Sequence, residues 1–193
     1  MRSIAGLGFG LMTCIAGAVV VPSAYTSTEG DANFFYNNLF DRDRTYQFLM
    51  DDSVLTGLVG KQIYGMRFRL DGGQTPWPTW PDTDFVYTDF EVRIGVGVEV
   101  PDMSLTFADN YVGNLTQVRD GGFTVAYETM PGGGTPNAFG PALGFDSSYA
   151  YNGGNLLIEF RSKAVQAPTL SAGIFDALSV TNASVNGYGT TIA

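Results

Sequence analysis

Glutamates offer this chain its simplest route to catalysis, because hydrolysis of a glycosidic bond needs only two carboxyl groups. Glu91, Glu99, Glu128 and Glu159 all fall in segments whose pattern predicts strands. By parity, three of them (Glu91, Glu99 and Glu159) lie opposite the apolar face of their strand, where a jelly-roll glycosidase would place them in a concave cleft. Solvated outer faces that keep a sheet soluble show the same parity. We expect that second role and therefore predict no catalytic residues.

Other catalytic groups are scarce, because the chain has no histidine and only one cysteine, Cys14. Nucleophilic triads need a base that is usually His, and Cys/His zinc sites need those ligands, so the sequence argues against both classes. The Gly132–Gly134 run lacks the Lys-Ser/Thr pair and the helix that complete a phosphate-binding loop. We predict that the protein is not an enzyme.

Closely spaced aspartates are candidate ligands for a metal ion. Asp82 and Asp84 form a D-x-D pair with Asp89 nearby, and Asp41 and Asp43 form a second pair. Calcium takes several oxygen ligands from carboxylates and carbonyls, although neither pair has the full EF-hand pattern. A structural Ca²⁺ site at Asp82, Asp84 and Asp89 is therefore one candidate, and solvated loop acids are the other. We expect no other cofactor.

Both tryptophans lie in the segment Gln74–Asp84, which reads QTPWPTWPDTD. Its three closely spaced prolines exclude a helix or a central strand, so we predict a stiff loop. Trp77 and Trp80 could then stack on sugar faces and bind a carbohydrate. The alternative is that the rings fold back and cap the core, as aromatic side chains with a polar handle often do.

The elements that must position these residues centre on Asp89–Val100, which reads DFEVRIGVGVEV. Every even position is apolar and every odd one is polar or glycine, so the segment predicts a long central strand with one buried and one wet face. Gly95 and Gly97 lie on the outer face, where they indicate a bend or bulge, or the close approach of another backbone.

Further strands are predicted on both sides of this one. Thr45–Met50 and Asn155–Arg161 have strand character, and Ile63–Leu70 alternates with Tyr64 inward and Arg69 outward. Phe123–Thr129 places Phe123, Val125 and Tyr127 on one face. Less regular strands are expected at the following segments: Val19–Ser27, Val112–Val118, Leu143–Tyr151 and Leu170–Val180. Eight or more strands without a convincing helix predict an all-β protein, a single antiparallel β-sandwich of jelly-roll type.

Charge and the N-terminus indicate where the protein works. The net charge is −9, and the few basic residues are scattered, so nucleic acid is not an expected partner. Arg2, the apolar run Ile4–Ile15 and the A-x-A site Ala16–Ala18 have the pattern of a secretory signal. We predict a signal peptide over residues 1–18 and a β-sandwich over 19–193. The mature chain is then secreted or at the cell surface, with no membrane span.

Several segments, in order along the chain, resemble one family of exported bacterial β-rich proteins that commonly carry the PEP-CTERM sorting tail. They are PSAYTSTEG (Pro22–Gly30), RTYQ (Arg44–Gln47), IYGMRFR (Ile63–Arg69), SLTFADN (Ser104–Asn110), GPALGF (Gly140–Phe145) and YNGGNLLIE (Tyr151–Glu159). The resemblance implies export, a surface or matrix location and a single β-sandwich, and it supplies no catalytic residues. The sequence ends at Ala193 without the Pro-Glu-Pro tail, so membrane retention is not implied.

Three functions follow as hypotheses. The first is a non-enzymatic structural component of the cell surface or extracellular matrix. The second is a carbohydrate-binding module that uses the loop of Trp77 and Trp80 on a polysaccharide. The third is self-association into a fibre or sheath, in which the arm Val19–Ala24 completes the sheet of a neighbour by strand addition.

Overall fold

In a computed structural model, the described residues are 17–30, 43–73, 78–164, 175–176 and 188–192. They form ten strands, which are β1 (Arg44–Met50), β2 (Lys61–Met66), β3 (Thr79–Trp80), β4 (Phe85–Gly97), β5 (Tyr111–Arg119), β6 (Phe123–Val125), β7 (Met130–Pro131), β8 (Leu143–Tyr151), β9 (Leu156–Ala164) and β10 (Tyr188–Ile192). Short 3₁₀ turns connect several of them. Within these ranges, no helix is long and apolar enough to cross a membrane. Most of the predicted signal segment lies outside the described residues.

The long strand β4 organises the main sheet, as predicted. It pairs antiparallel with β9 on one side and with β5 and β6 on the other. The sheet has six strands: five follow the order β10-β1-β9-β4-β5, and β6 pairs with β4 outside this order. The strand begins at Phe85, four residues earlier than predicted, and ends at Gly97. A 3₁₀ turn follows at Val100–Asp102, where Pro101 has no N–H to continue a ladder.

A second layer packs over the apolar face of this sheet. It consists of two two-stranded antiparallel sheets, β2-β8 and β3-β7. Phe90, Val92 and Ile94 of β4 are buried in the core between the layers, together with residues of β1, β8 and β9. Most of its aromatic pairs meet edge-on or tilted, as Phe90 and Phe160 do at 5.8 Å between centroids. The predicted antiparallel β-sandwich is confirmed, with two layers of unequal size.

The opposite face of the main sheet is only partly open to water. The segment between β4 and β5 packs Val100 over Leu49 and Leu157, which are both fully buried, and forms a second small apolar cluster. A Cβ atom on Gly95 would lie 2.7 Å from Cδ2 of Leu115 and 3.3 Å from the carbonyl oxygen of Asn114, so another backbone does approach this glycine closely. The β4–β5 register also shifts between Ile94 and Val96, which places a bulge at the same position.

The predicted directions of Tyr64 and Arg69 are wrong because strand regularity breaks locally. In β2 the register shifts between Ile63 and Gly65, so Ile63 packs on the core and Tyr64 points outward with 61% of its surface exposed. Arg69, predicted outward, is buried in an ion pair after the strand has ended. A shift of one residue exchanges the two faces of a strand, and the alternation alone does not reveal it.

Three further segments differ from expectation. Tyr127 is exposed because β6 stops at Val125 and a turn follows, with Glu128 at a φ of 55°. Val19–Ser27 forms a 3₁₀ turn at Ser23–Tyr25 and no strand. Of the segment predicted at Leu170–Val180, only Phe175 and Asp176 are described, and Phe175 bridges to Leu70. Tyr188–Ile192, where the sequence pattern predicted no strand, forms β10 beside β1.

Candidate functional site

The strand glutamates lie in a network of ion pairs. Glu159, predicted to be solvated, is only 1% exposed, because the neighbouring strands and the segment before β5 cover its face. Its Oε2 accepts a hydrogen bond from Nε2 of Gln47 at 2.7 Å, and its Oε1 accepts one from Nε of Arg161 at 2.8 Å. Gln47 is held in turn by Asn110, whose Nδ2 donates to its Oε1 at 2.9 Å. The solvated role predicted for Glu159 is therefore wrong.

A guanidinium links this carboxylate to the next one. NH2 of Arg93 lies 2.6 Å from Oε2 of Glu91, and NH1 lies 4.0 Å from Oε1 of Glu159. Strand pairing places Arg93 opposite Glu159 and Glu91 opposite Arg161, so the charges alternate across the sheet. Glu99 and Glu128 lie outside the strands and are exposed. The arginines neutralise the carboxylates of Glu91 and Glu159 and fix their positions, as in an ion-pair network with a structural role.

The three aspartates predicted to bind calcium lie in two places: Asp82 and Asp84 in the loop before β4, and Asp89 on β4 itself. Asp84 lies in the loop before β4, where its Oδ1 accepts a hydrogen bond from the backbone N of Tyr127 at 2.7 Å. Asp89 lies on β4 and groups instead with Glu91 and Asp120, whose carboxylate oxygens lie within 4.8 Å of one another. Asp82 is exposed in the same loop as Asp84.

The Asp89 group has the oxygen ligands that calcium prefers, but it also has a nearby cation. Nζ of Lys163 lies 3.8 Å from Oδ2 of Asp89. Asp120 also bonds to the adjacent turn, where its Oδ1 accepts from the N of Gly121 at 2.8 Å. Spacing along β4 could have indicated the Asp89–Glu91 pair, whereas the approach of Asp120 depends on the β4–β5 pairing.

The predicted carbohydrate platform divides between two environments. Trp80 is 1% exposed, and its ring packs against Phe85 at 5.2 Å and Phe175 at 6.3 Å between centroids. A sugar face cannot reach a ring inside the core, so Trp80 caps the sandwich and its predicted binding role is wrong. Trp77 lies outside the described residues.

An apolar cavity of about 380 Å³, which sequence reasoning missed, lies along the side of the sandwich opposite β5. One wall is the main sheet and the other is the β2 layer, while the N-terminal arm and the turn after β1 border a mouth that is partly open to solvent. Its apolar lining is Val19, Val20, Val21, Pro22, Tyr25, Tyr46, Phe48, Met50, Val54, Leu55, Leu58, Ile63, Met66, Phe68, Phe139, Leu156, Ile158 and Phe175. Its volume falls in the range of small-molecule pockets.

The cavity opens to solvent over part of its surface, so its apolar lining is accessible to water and to a guest molecule. No periodicity along one segment could have predicted it, because its walls come from five separate parts of the chain.

Charged groups lie at one end of the cavity. Arg69 is buried and donates from Nε to Oδ2 of Asp176 and from NH2 to the carbonyl oxygen of Thr28, both at 2.5 Å. Asp176 also accepts a hydrogen bond from the N of Gly30 at 2.7 Å, so this pair ties the N-terminal arm to the sandwich. Arg67 lines the same cavity, is exposed, and forms no hydrogen bond or ion pair with any described residue.

Comparisons with protein-family models, with curated proteins and with solved structures found no match for this chain.

Proposed function

We propose that this protein is an exported, non-enzymatic β-sandwich that serves as a structural component of the cell surface or extracellular matrix. The observation that carries the proposal is the pairing of Glu159 and Glu91 with arginines across the main sheet. A general acid must carry a proton and a nucleophilic carboxylate must reach its substrate. The Glu159 carboxyl group is 1% exposed and both of its oxygens already accept hydrogen bonds, from Gln47 and Arg161, so it is not placed to reach a substrate.

Two further features support export. The N-terminal pattern of Arg2, an apolar run and an A-x-A site is that of a signal peptide. The resemblance to PEP-CTERM-type exported proteins adds a surface or matrix location. An acidic chain of net charge −9 also suits a protein that must remain soluble outside the cell.

Fractionation and a glycan assay test this proposal together. Cells that produce the full chain should release it to the medium or the surface wash, with Val19 as its N-terminal residue. The purified protein should liberate no reducing sugar from a panel of polysaccharides. Retention of the uncut chain in the cytoplasm would refute export. Sugar release that is lost in a folded Glu99→Gln or Glu159→Gln variant would refute the non-enzymatic role.

Self-association is a second candidate, and the position of β5 favours it. Within the described part of the chain, β5 is an edge strand with β4 as its only ladder partner, and Val112 on it is 63% exposed. An exposed edge offers free backbone donors and acceptors to a strand of another chain. We expect Val112→Lys to reduce any concentration-dependent assembly seen by light scattering, whereas Thr124→Lys on the short strand β6 should not. Equal assembly in both variants would argue against this edge.

A further inference from the structure

We infer that the apolar cavity binds one molecule of an amphipathic carboxylic acid, with its alkyl chain inside and its carboxylate at Arg67. This site goes beyond the proposed structural role and does not depend on it. The first argument is capacity, because a cavity of about 150 Å³ lined by aliphatic and aromatic side chains already takes up benzene. The present cavity has about 380 Å³ and a lining of the same kind.

The second argument is the shape of the lining. Phe48 and Ile158 of the main sheet face Ile63 and Met66 of the second layer, so the walls present hydrocarbon on both sides. An elongated alkyl chain suits such a space because all its surface can leave water. A sugar or nucleotide would bury hydroxyl or phosphate groups without partners, which is costly.

The third argument is charge. Among the described residues, the charged ones that line the cavity are Arg67, Arg69 and Asp176. Arg69 and Asp176 neutralise each other in a buried ion pair, so Arg67 is the one of these three without an ion-pair partner among the described residues. Arg67 is exposed and lies between Met66 and Phe68, which both belong to the wall. A guanidinium pairs well with a carboxylate, so an acid can place its head at the surface while its chain extends inward.

The test is a titration of the delipidated full chain with sodium salts of straight-chain saturated fatty acids of 8 to about 14 carbons, followed by calorimetry and native mass spectrometry. We expect a one-to-one complex whose affinity rises about fourfold per added methylene until the cavity is full. The n-alkanol of equal length should bind about tenfold more weakly than the acid, because it lacks the charged head.

Three variants locate the site. Arg67→Gln should weaken binding of the acid about tenfold and leave the alkanol unchanged. Lys61→Gln is the matched control, since Lys61 is an exposed cation in β2, the strand that ends just before Arg67, and it does not line the cavity. Leu58→Trp should fill the cavity from a half-buried wall position and abolish binding of both ligands, with the circular dichroism spectrum unchanged.

Several results would overturn the inference. One is the absence of a one-to-one complex with every acid in the series. Another is an affinity that does not change with chain length, which would indicate surface adsorption. Equal losses in Arg67→Gln and Lys61→Gln would mean that the acid responds only to net charge. A dimer that forms without bound acid and is broken by Leu58→Trp would assign the cavity to a second copy of the chain.

Discussion

Replacing Glu159 by glutamine should destabilise the fold even though the two side chains have nearly the same shape. The donors around this carboxylate form an ordered chain, because Asn110 donates to Gln47 and Gln47 donates to Glu159. On the other oxygen, Arg161 donates from Nε. A carboxylate accepts from both sides, whereas an amide has one accepting oxygen and presents its NH₂ group to one of the two donors.

The magnitude follows from which donor is left facing that NH₂ group. Gln47 is fully buried and cannot reverse its amide without losing its bond from Asn110, so the oxygen of the new amide should turn toward Gln47. Arg161 then loses its acceptor, but its side chain is 46% exposed and water can replace part of the bond. Loss of one hydrogen bond to a charged group, partly compensated, predicts a free energy of unfolding lower by about 2 kcal/mol.

Guanidinium denaturation at pH 7 measures this difference directly. A loss of about 2 kcal/mol should also lower Tm by about 4–8 °C for a domain of this size. Glu99→Gln is the control, since Glu99 is exposed and lies outside the strands, and it should change stability by less than about 0.5 kcal/mol. If Glu159→Gln is as mild as this control, the reasoning about ordered donors fails. A stabilised variant would mean that the cost of burying the charge exceeds its hydrogen bonds.

Two other predictions concern packing and pH. Gly65→Ala should lower stability by about 1–3 kcal/mol in thermal denaturation, because its Cβ would lie 2.6 Å from the carbonyl oxygen of Leu143. Gly144→Ala, which meets no atom within 4 Å, should be mild, and equal effects would contradict this view of the β2–β8 pair. The pKa of the Tyr151 hydroxyl is raised, chiefly by burial and further by Asp52, so the unfolded chain loses this proton first. The stability that this tyrosine contributes should be complete below pH about 10 and lost as the pH rises further, and Tyr151→Phe should flatten that decline in denaturant titrations. An unchanged slope in this variant would assign the decline to other groups.

Local pattern predicted most of the main sheet because its strands are regular. The alternation along β4 identified Phe90, Val92 and Ile94 as core residues, and all three are fully buried, whereas Val96, predicted on the same face, is 43% exposed beyond the register shift at Gly95. The same reasoning failed at Tyr64, where a register shift in β2 reverses the faces without any mark in the pattern. The prolines around Trp80 predicted a loop, but Thr79–Trp80 form the short strand β3 beside β7, and the pattern did not reveal that this ring is buried.

The candidate sites depended much more on the tertiary structure. Glu159 alternates like a solvated residue, yet its burial depends on Gln47 and Asn110, which are 112 and 49 positions away in sequence. The cavity beside Arg67 likewise arises only where the N-terminal arm and the two layers meet.

By itself, the sequence determined the fold class, the central strand and the absence of histidine chemistry. Composition and the period of two along a strand are local properties, and folding does not change them. Tertiary structure alone decided which charges are buried, which aspartates come together and where apolar space remains. These features depend on strand order, register and the covering of each face, which are set by contacts between residues far apart in the chain.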